Sequence, residues 1–123
     1  MQNSSTVDEN NVIHCPSANS WMATVEDCIV ANQLNVAMFY GSWSEPSKVM
    51  YDMMVQQKKD FPNVVFCKLD IDEVKEATKM MAVRIVPTIV FVIEGKEVAR
   101  VKLLMTPEVF KHKIVSFLPL QQS

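Results

Sequence analysis

The sequence predicts a single α/β domain in which a central mixed sheet of four or five strands is flanked by four helices. Its 123 residues, 49% of them hydrophobic and 21% charged, suffice for one hydrophobic core. Short apolar segments of strand length alternate with segments whose apolar residues recur at helical spacing. The early alternation favours parallel strands joined by helices, and a late hairpin adds an antiparallel portion.

The predicted strands are apolar segments bounded by turn residues or proline, at 11–15, 35–40, 64–69, 89–93 and 97–103. Each predicted helix follows a residue that can cap it, namely Ser17 or Ser20, Ser44, Asp72 and Thr106. The second helix runs to about Asp60, with Glu45 and Pro46 in its first turn, where an acid and a proline are favoured. Glu94-Gly95-Lys96 is a hairpin turn.

The two ends of the chain differ from its body. Residues 1–10 are polar and are expected to form a disordered lead, 11–118 to form the domain and 119–123 to form a short tail. The N-terminus has neither a basic start nor an apolar run, so no signal peptide is expected. No segment is apolar over the length that a bilayer requires.

The number and spacing of the cysteines indicate whether the protein works in an oxidising or a reducing compartment. Cys15, Cys28 and Cys67 are odd in number and show no close pairing such as C-x-x-C. A disulfide framework is therefore not expected, and a reducing, cytoplasmic location fits better.

No pattern in the sequence indicates a metal, a cofactor or a nucleic-acid partner. His14 lies beside Cys15, but nothing completes a zinc-ligand spacing, so an exposed histidine at a strand end is expected. Asp70 and Asp72 are not followed by further ligands at the spacing of a calcium loop. The net charge is −2, and the longest basic run is Lys58-Lys59, which argues against nucleic-acid binding.

Several groups of residues follow one another in a specific order within residues 11–118. They are Phe39, Trp43-Ser44-Glu45-Pro46-Ser47-Lys48, Lys68-Leu69-Asp70-Ile71-Asp72, Arg84-Ile85-Val86-Pro87-Thr88 and Glu94-Gly95-Lys96. In this order they resemble the thioredoxin family, and the resemblance implies the thioredoxin fold.

The resemblance implies a redox motif, Trp-Cys-Gly-Pro-Cys-Lys, at the start of the second helix. Its first cysteine is a nucleophile whose pKa is lowered by the helix N-terminus, and its second cysteine resolves the mixed disulfide. This chain has Ser44 and Ser47 at those positions. A serine hydroxyl is barely ionised near neutral pH and cannot exchange a disulfide, so no residue of the motif is expected to be catalytic as it stands.

Other positions bear on whether the serines are natural or replaced. The family's buried aspartate aligns with Met38, and the lysine that partners it is kept as Lys68. The proline that kinks the second helix aligns with Asp52, and a glycine beside the substrate groove aligns with Leu104. These departures favour natural degeneracy, although redox-active relatives also vary at each position.

The resemblance also implies a groove for a protein or an extended peptide. Pro87 aligns with a cis-proline that exposes the backbone of the preceding residue, here Val86; the alternative is that Pro87 merely starts a strand. Leu104 and Met105 follow the last strand and either extend the groove or tuck into the core. The residues expected to bind a partner are Trp43, Glu45, Pro46, Val86, Pro87, Leu104 and Met105.

Two functions follow from these observations. The favoured interpretation is a redox-inactive binding or structural module that engages a protein partner through the former substrate groove, as a subunit of a larger assembly or otherwise. The alternative is a thioredoxin-type protein disulfide oxidoreductase whose two active-site cysteines are replaced by serine. Neither interpretation calls for a cofactor, a nucleic acid or a membrane.

Overall fold

The computed structural model describes residues 4–118, and over that range one six-stranded sheet is flanked by four helices. The strands are β1 (Thr6–Val7), β2 (Ile13–His14), β3 (Asn35–Tyr40), β4 (Val65–Asp70), β5 (Thr88–Ile93) and β6 (Lys96–Lys102). The helices are α1 (Ala18–Ala31), α2 (Glu45–Asp60), α3 (Lys75–Met80) and α4 (Pro107–Ser116). The predicted α/β architecture is confirmed, with β1 as an unpredicted strand. No helix within the described range is long and apolar enough to cross a membrane.

The sheet is mixed, with the strand order β1-β2-β4-β3-β5-β6. Strand β4 pairs in parallel with both β2 and β3, whereas β5 is antiparallel to β3 and to β6. The predicted strand at 64–69 therefore lies inside the sheet, between β2 and β3. Cys67, on β4, is fully buried and free, as expected of a small apolar residue in an interior strand.

Strand register brings four loops to the same end of the sheet. Phe39 near the end of β3 is paired with Thr88 at the start of β5, and Thr88 is paired with Lys102 at the end of β6. Tyr40, the last residue of β3, is paired with Asp70, the last residue of β4. The loops 41–44, 71–74, 86–87 and 103–105 consequently meet at this end.

Alternation along the strands builds a core on each face of the sheet. Along β3, Val36 and Met38 belong to one buried cluster, and Ala37 and Phe39 belong to the other. The first cluster lies beneath α2 and α4 and contains most of the buried phenylalanines: Phe66, Phe91 and Phe110.

Three of the four predicted helix caps are present, and one is not. Ser17, Ser44 and Thr106 each accept a hydrogen bond from a backbone N–H of the first turn. The prediction that Asp72 caps the third helix is wrong, because α3 starts after Val74 without a side-chain cap. The carboxylate of Asp72 instead accepts a hydrogen bond from the indole N–H of Trp43, in the neighbouring loop.

The prediction that residues 1–10 form a disordered lead is wrong for the described part, residues 4–10. Strand β1 pairs antiparallel with β2, and the intervening polar residues form a tight turn. The carboxylate of Asp8 accepts backbone N–H groups of Asn10 and Val12, at 2.8 and 3.1 Å, and Asn11 has a positive φ of 63°. Asx-type hydrogen bonds make polar residues into an ordered turn. The predicted tail, 119–123, lies outside the described residues.

Candidate functional site

The two motif serines lie in the first turn of α2, within hydrogen-bond reach of the backbone. Ser44 is the N-cap, and its Oγ accepts the backbone N–H of Ser47 at 3.2 Å. The Oγ of Ser47 in turn accepts the backbone N–H of Gly41 at 3.2 Å. Both serines are buried. The hydroxyl oxygen of each is held in place by a hydrogen bond from a backbone N–H group.

The position of Ser44 favours negative charge. Helix α2 is 16 residues long, and its N-terminal N–H groups point toward the cap. A thiol at this position would have its pKa lowered by the same groups, whereas a serine hydroxyl stays protonated and serves as a cap. Glu45 is an exposed first-turn acid that pairs with Lys48 at 3.1 Å, and Pro46 follows it in the first turn.

Trp43 projects from the loop before the motif and is 65% exposed. Its indole N–H donates to the carboxylate of Asp72 at 3.0 Å, which ties the motif loop to the loop after β4. The indole lies against Gly41, where a Cβ would approach Cε2 and Cζ2 of the ring to 2.7 and 2.8 Å. The absence of a side chain at Gly41 therefore permits the observed orientation of Trp43.

We expect Gly41→Ala to displace the indole of Trp43 and to break its hydrogen bond with Asp72. The reason is steric, since the added methyl group would overlap the six-membered ring. The measurement is the indole N–H resonance of Trp43 in a proton–nitrogen correlation spectrum, compared with that of Asp72→Ala. Both substitutions should move this resonance, and the indole resonance of the buried Trp21 should stay in place. An unmoved Trp43 resonance in Gly41→Ala would contradict the close approach.

The loop before β5 meets the turn after β6. The Val86–Pro87 peptide bond is cis. Pro87 is buried, Val86 is half-buried, and the carbonyl of Pro87 accepts the backbone N–H of Leu103 at 2.8 Å. Leu104 is 51% exposed, whereas Met105 is half-buried and packs against the core cluster beneath α2 and α4. Of the predicted groove residues, Trp43 and Leu104 are thus the exposed apolar side chains, and Met105 is shared with the core.

A cavity of about 330 Å³ lies behind the motif. Its lining includes Ser47, Met38, Tyr51, Lys68 and Asp8. Lys68 forms an ion pair with Asp8 at 3.1 Å, and its ammonium group lies 4.9 Å from the centre of the Tyr51 ring. The hydroxyl of Tyr51 also donates a short hydrogen bond to Asp8. The N-terminal turn thus contributes a carboxylate to the wall behind Ser47.

These contacts shift the pKa values of the two acids involved. Burial, followed by the hydrogen bond to Asp8, raises the pKa of Tyr51 to about 12. Partial burial acts to raise the pKa of Asp8, but hydrogen bonds from Tyr51, from backbone N–H groups and from Lys68 outweigh it and hold that pKa below its ordinary value. Tyr51 is therefore neutral and Asp8 ionised across the neutral range.

Sequence reasoning missed Asp8 and gave Asp72 the wrong role. The only signal for Asp8 was the run Asp8-Glu9-Asn10-Asn11, whose composition is typical of a turn. His14 was also expected to be exposed, but it is half-buried and lies 3.0 Å from the carboxylate of Glu73. Asp8, Asp72 and His14 each contact a residue that is distant in sequence, and composition alone does not predict such contacts.

The three cysteines lie away from the motif. All are buried and free. Burial, with Asp27 nearby, raises the pKa of Cys28 to about 11, and a hydrogen bond with Cys15 together with burial raises that of Cys67. Within the described range no three His, Cys, Asp or Glu side chains are grouped as a metal site requires.

Comparisons with known proteins bear on the family and the fold. The family model described as Thioredoxin matches residues 12–116. Thioredoxin H5 of Arabidopsis thaliana is 34% identical over 76% of this chain and 79% of its own length. Thioredoxin H-type of Fagopyrum esculentum is 30% identical over 92% and 97%. The crystal structure of thioredoxin NaTrxh from Nicotiana alata superposes with a TM-score of 0.82, at 27% identity, covering 94% of this chain and all of that one.

The favoured interpretation from the sequence, a redox-inactive binding or structural module, is wrong in the light of these relatives. Curated proteins that are 30–34% identical over most of the chain are named as thioredoxins of the H type. The error came from weighing the departures at Met38, Asp52 and Leu104 as loss of function, when divergence at this level of identity is ordinary. The alternative, an oxidoreductase with serines in place of its cysteines, fits the relatives better.

Proposed function

This chain belongs to the thioredoxin family, and we propose that it is a thioredoxin-type protein disulfide oxidoreductase whose two active-site cysteines are replaced by serine. The observation that carries the proposal is the placement of Ser44 at the N-cap of α2, with the buried Ser47 one turn further along. These are the positions in which a nucleophilic thiolate and a resolving thiol would act.

With thiols at these positions, the reaction is a two-step exchange. The thiolate at position 44 attacks one sulfur of a substrate disulfide, forming a mixed disulfide and releasing the first substrate thiolate. The thiol at position 47 then loses its proton and attacks the mixed disulfide, which releases the second substrate thiolate. The substrate disulfide gains two electrons and two protons, and the pair at positions 44 and 47 becomes a disulfide.

The groove around the motif supports a protein substrate. Trp43 and Leu104 offer exposed apolar surface on either side of the loop that contains Val86 and Pro87. Burying a leucine side chain contributes about 1.5–3 kcal/mol, which is enough to help hold an extended peptide segment. Glu45, which is exposed, and Pro46, which is half-buried, lie between the two serines in the first turn of α2. The free, buried cysteines support a reducing, cytoplasmic location as part of the same proposal.

The test is to trap the first step with a single thiol. We expect Ser44→Cys, with Ser47 retained, to form a mixed disulfide with oxidised insulin that persists because no resolving thiol is present. The adduct is measured on non-reducing gels and should be reversed by dithiothreitol. The chain with both serines provides the blank, since a hydroxyl cannot form the bond.

Two matched variants sharpen the result. Ser42→Cys places a thiol in the same loop but at an exposed position outside the helix cap. At mildly acidic pH, Ser44→Cys should react about fivefold faster than Ser42→Cys, because the helix N-terminus increases the thiolate fraction more than it reduces nucleophilicity. Ser47→Cys alone should form less adduct than Ser44→Cys, since position 47 lies inside the first turn of α2 and not at the cap, where the helix N-terminus favours the thiolate most. Equal rates for Ser44→Cys and Ser42→Cys would contradict the assigned role of position 44.

A further inference from the structure

The N-terminal turn carries a carboxylate that is held more rigidly than a surface acid would be. The side chain of Asp8 is only 13% exposed. One of its oxygens accepts the backbone N–H groups of Asn10 and Val12, and the other accepts from Tyr51 and pairs with Lys68. The amide of Asn10 also donates to the hydroxyl of Tyr51 at 3.1 Å. The carboxylate is thus fixed from the turn, from α2 and from β4.

Lys68 is held on the cavity side of the sheet by this arrangement. Its neighbours in the sheet are Met38 on β3, which carries no charge, and His14 on β2, which pairs with Glu73. The Lys68 side chain is 21% exposed, and its ammonium group lies over the Tyr51 ring within reach of Asp8. An ammonium group in such a site needs a compensating charge, because partial burial removes much of its hydration.

The remaining charged groups around the cavity are more exposed. Lys48 and Asp52 come from α2, and Glu9 comes from the N-terminal turn. Lys48 is already paired with Glu45. Among the carboxylates that line the cavity, Asp8 is therefore the one that is fixed and largely shielded from solvent.

We propose that Asp8 is a positioning residue of the redox site, which holds the ammonium group of Lys68 at the wall behind position 47 and balances the charge that a thiol there would meet. The proposal rests on the proposed function, since it concerns the second motif position. It assigns a part of the site to the N-terminal turn, a segment outside the motif loops. The charges of Lys68 and Asp8 act in opposite directions on a thiol at position 47: Lys68 favours the thiolate, and Asp8 disfavours it.

The test measures the titration of a thiol at position 47 without requiring catalysis. Ser47→Cys is titrated by thiolate absorbance in the far ultraviolet, and the spectrum of the matched chain that retains Ser47 is subtracted at each pH, so that changes in tyrosine ionisation cancel. Adding Asp8→Asn should lower the pKa of the introduced thiol by about half to one pH unit, because the Lys68 charge is then unopposed. Adding Lys68→Met should raise it by a similar amount. The two substitutions together should largely cancel.

Matched controls separate this role from a structural one. Asn at position 8 keeps a side-chain oxygen for the N–H groups of the turn, and circular dichroism checks that the fold is retained. Glu9→Gln removes an exposed carboxylate from the same turn and should move the thiol pKa by less than about 0.2 unit, since solvent screens it. If Asp8→Asn and Lys68→Met each leave the titration in place, or move it in the same direction, the proposal is overturned. The outcome of the insulin adduct with Ser44→Cys is independent, so failure of the proposed function would be seen separately.

Discussion

The double substitution Ser44→Cys with Ser47→Cys is expected to give a protein that catalyses the reduction of insulin by dithiothreitol. The unmodified chain should leave the reaction at its uncatalysed rate, because neither serine can form a disulfide. Two thiols one helical turn apart act within one molecule, so the resolving step has a high effective concentration. The catalysed rate should exceed the background by at least about tenfold. The measurement is the onset of turbidity as the insulin B chain precipitates.

The structure supplies the reasons for expecting this gain. The backbone N–H of Ser47 lies 3.2 Å from the Oγ of Ser44, so a thiolate at position 44 has a donor in place. The N–H of Gly41 reaches the side chain at position 47 from the other side. The control is the pair Ser42→Cys with Ser47→Cys, which moves the first thiol out of the cap. Equal activity in the two pairs, or none in either, would show that the helix N-terminus does not organise this chemistry.

The core substitution Phe91→Ala is expected to lower the free energy of unfolding by about 3–5 kcal/mol. Phe91 is fully buried on β5, and its ring centroid lies 6.2 Å from that of Phe110 and 5.7 Å from that of Phe117. Removing the ring leaves a cavity between the sheet and α4 in addition to the lost apolar burial. Urea unfolding followed by circular dichroism measures the change.

Phe91→Leu is the matched control for this position. It retains most of the side-chain volume and should cost less than half as much as the alanine substitution, since the site can repack around a smaller loss. If alanine and leucine cost the same, the stabilisation would come from the edge-to-face contact with Phe110 and not from filling the space. If alanine costs less than about 1 kcal/mol, the cluster beneath α4 is not the stabilising core described above.

Local patterns identified the elements wherever the physical cause was itself local. Ser44 was predicted to cap α2 and does so, because a cap depends on a side chain and a backbone N–H three residues away. The strand at 64–69 was predicted from a mainly apolar segment of strand length, and β4 occupies Val65–Asp70. Asp72 shows the limit of this reasoning: it has the right residue type for a cap, but its carboxylate bonds to the indole of Trp43, 29 residues earlier in the chain.

The candidate site divides in the same way. Its two central residues, Ser44 and Ser47, are identified from the sequence alone. Because neither is a cysteine, the sequence also shows that thiol chemistry requires a substitution at both positions. The same is true of the order of strands and helices, since it follows from the spacing of apolar residues. The surroundings of those serines were decided only by tertiary structure. Register brings the loop at Pro87 beside the turn at Leu103.

The N-terminal turn shows most clearly that contacts distant in sequence decide local order. A polar run at the end of a chain has the composition of a disordered lead, and the turn-like run Asp8-Glu9-Asn10-Asn11 was the only local sign of order. What orders residues 4–10 is the pairing of β1 with β2 and the contacts of Asp8 with Tyr51 and Lys68, 43 and 60 residues away along the chain. The sequence alone therefore determined the fold class and the motif chemistry, because both depend on residue type and short-range spacing. The charge behind the motif was decided by tertiary structure, because an ion pair forms only where the folded chain brings its two members together.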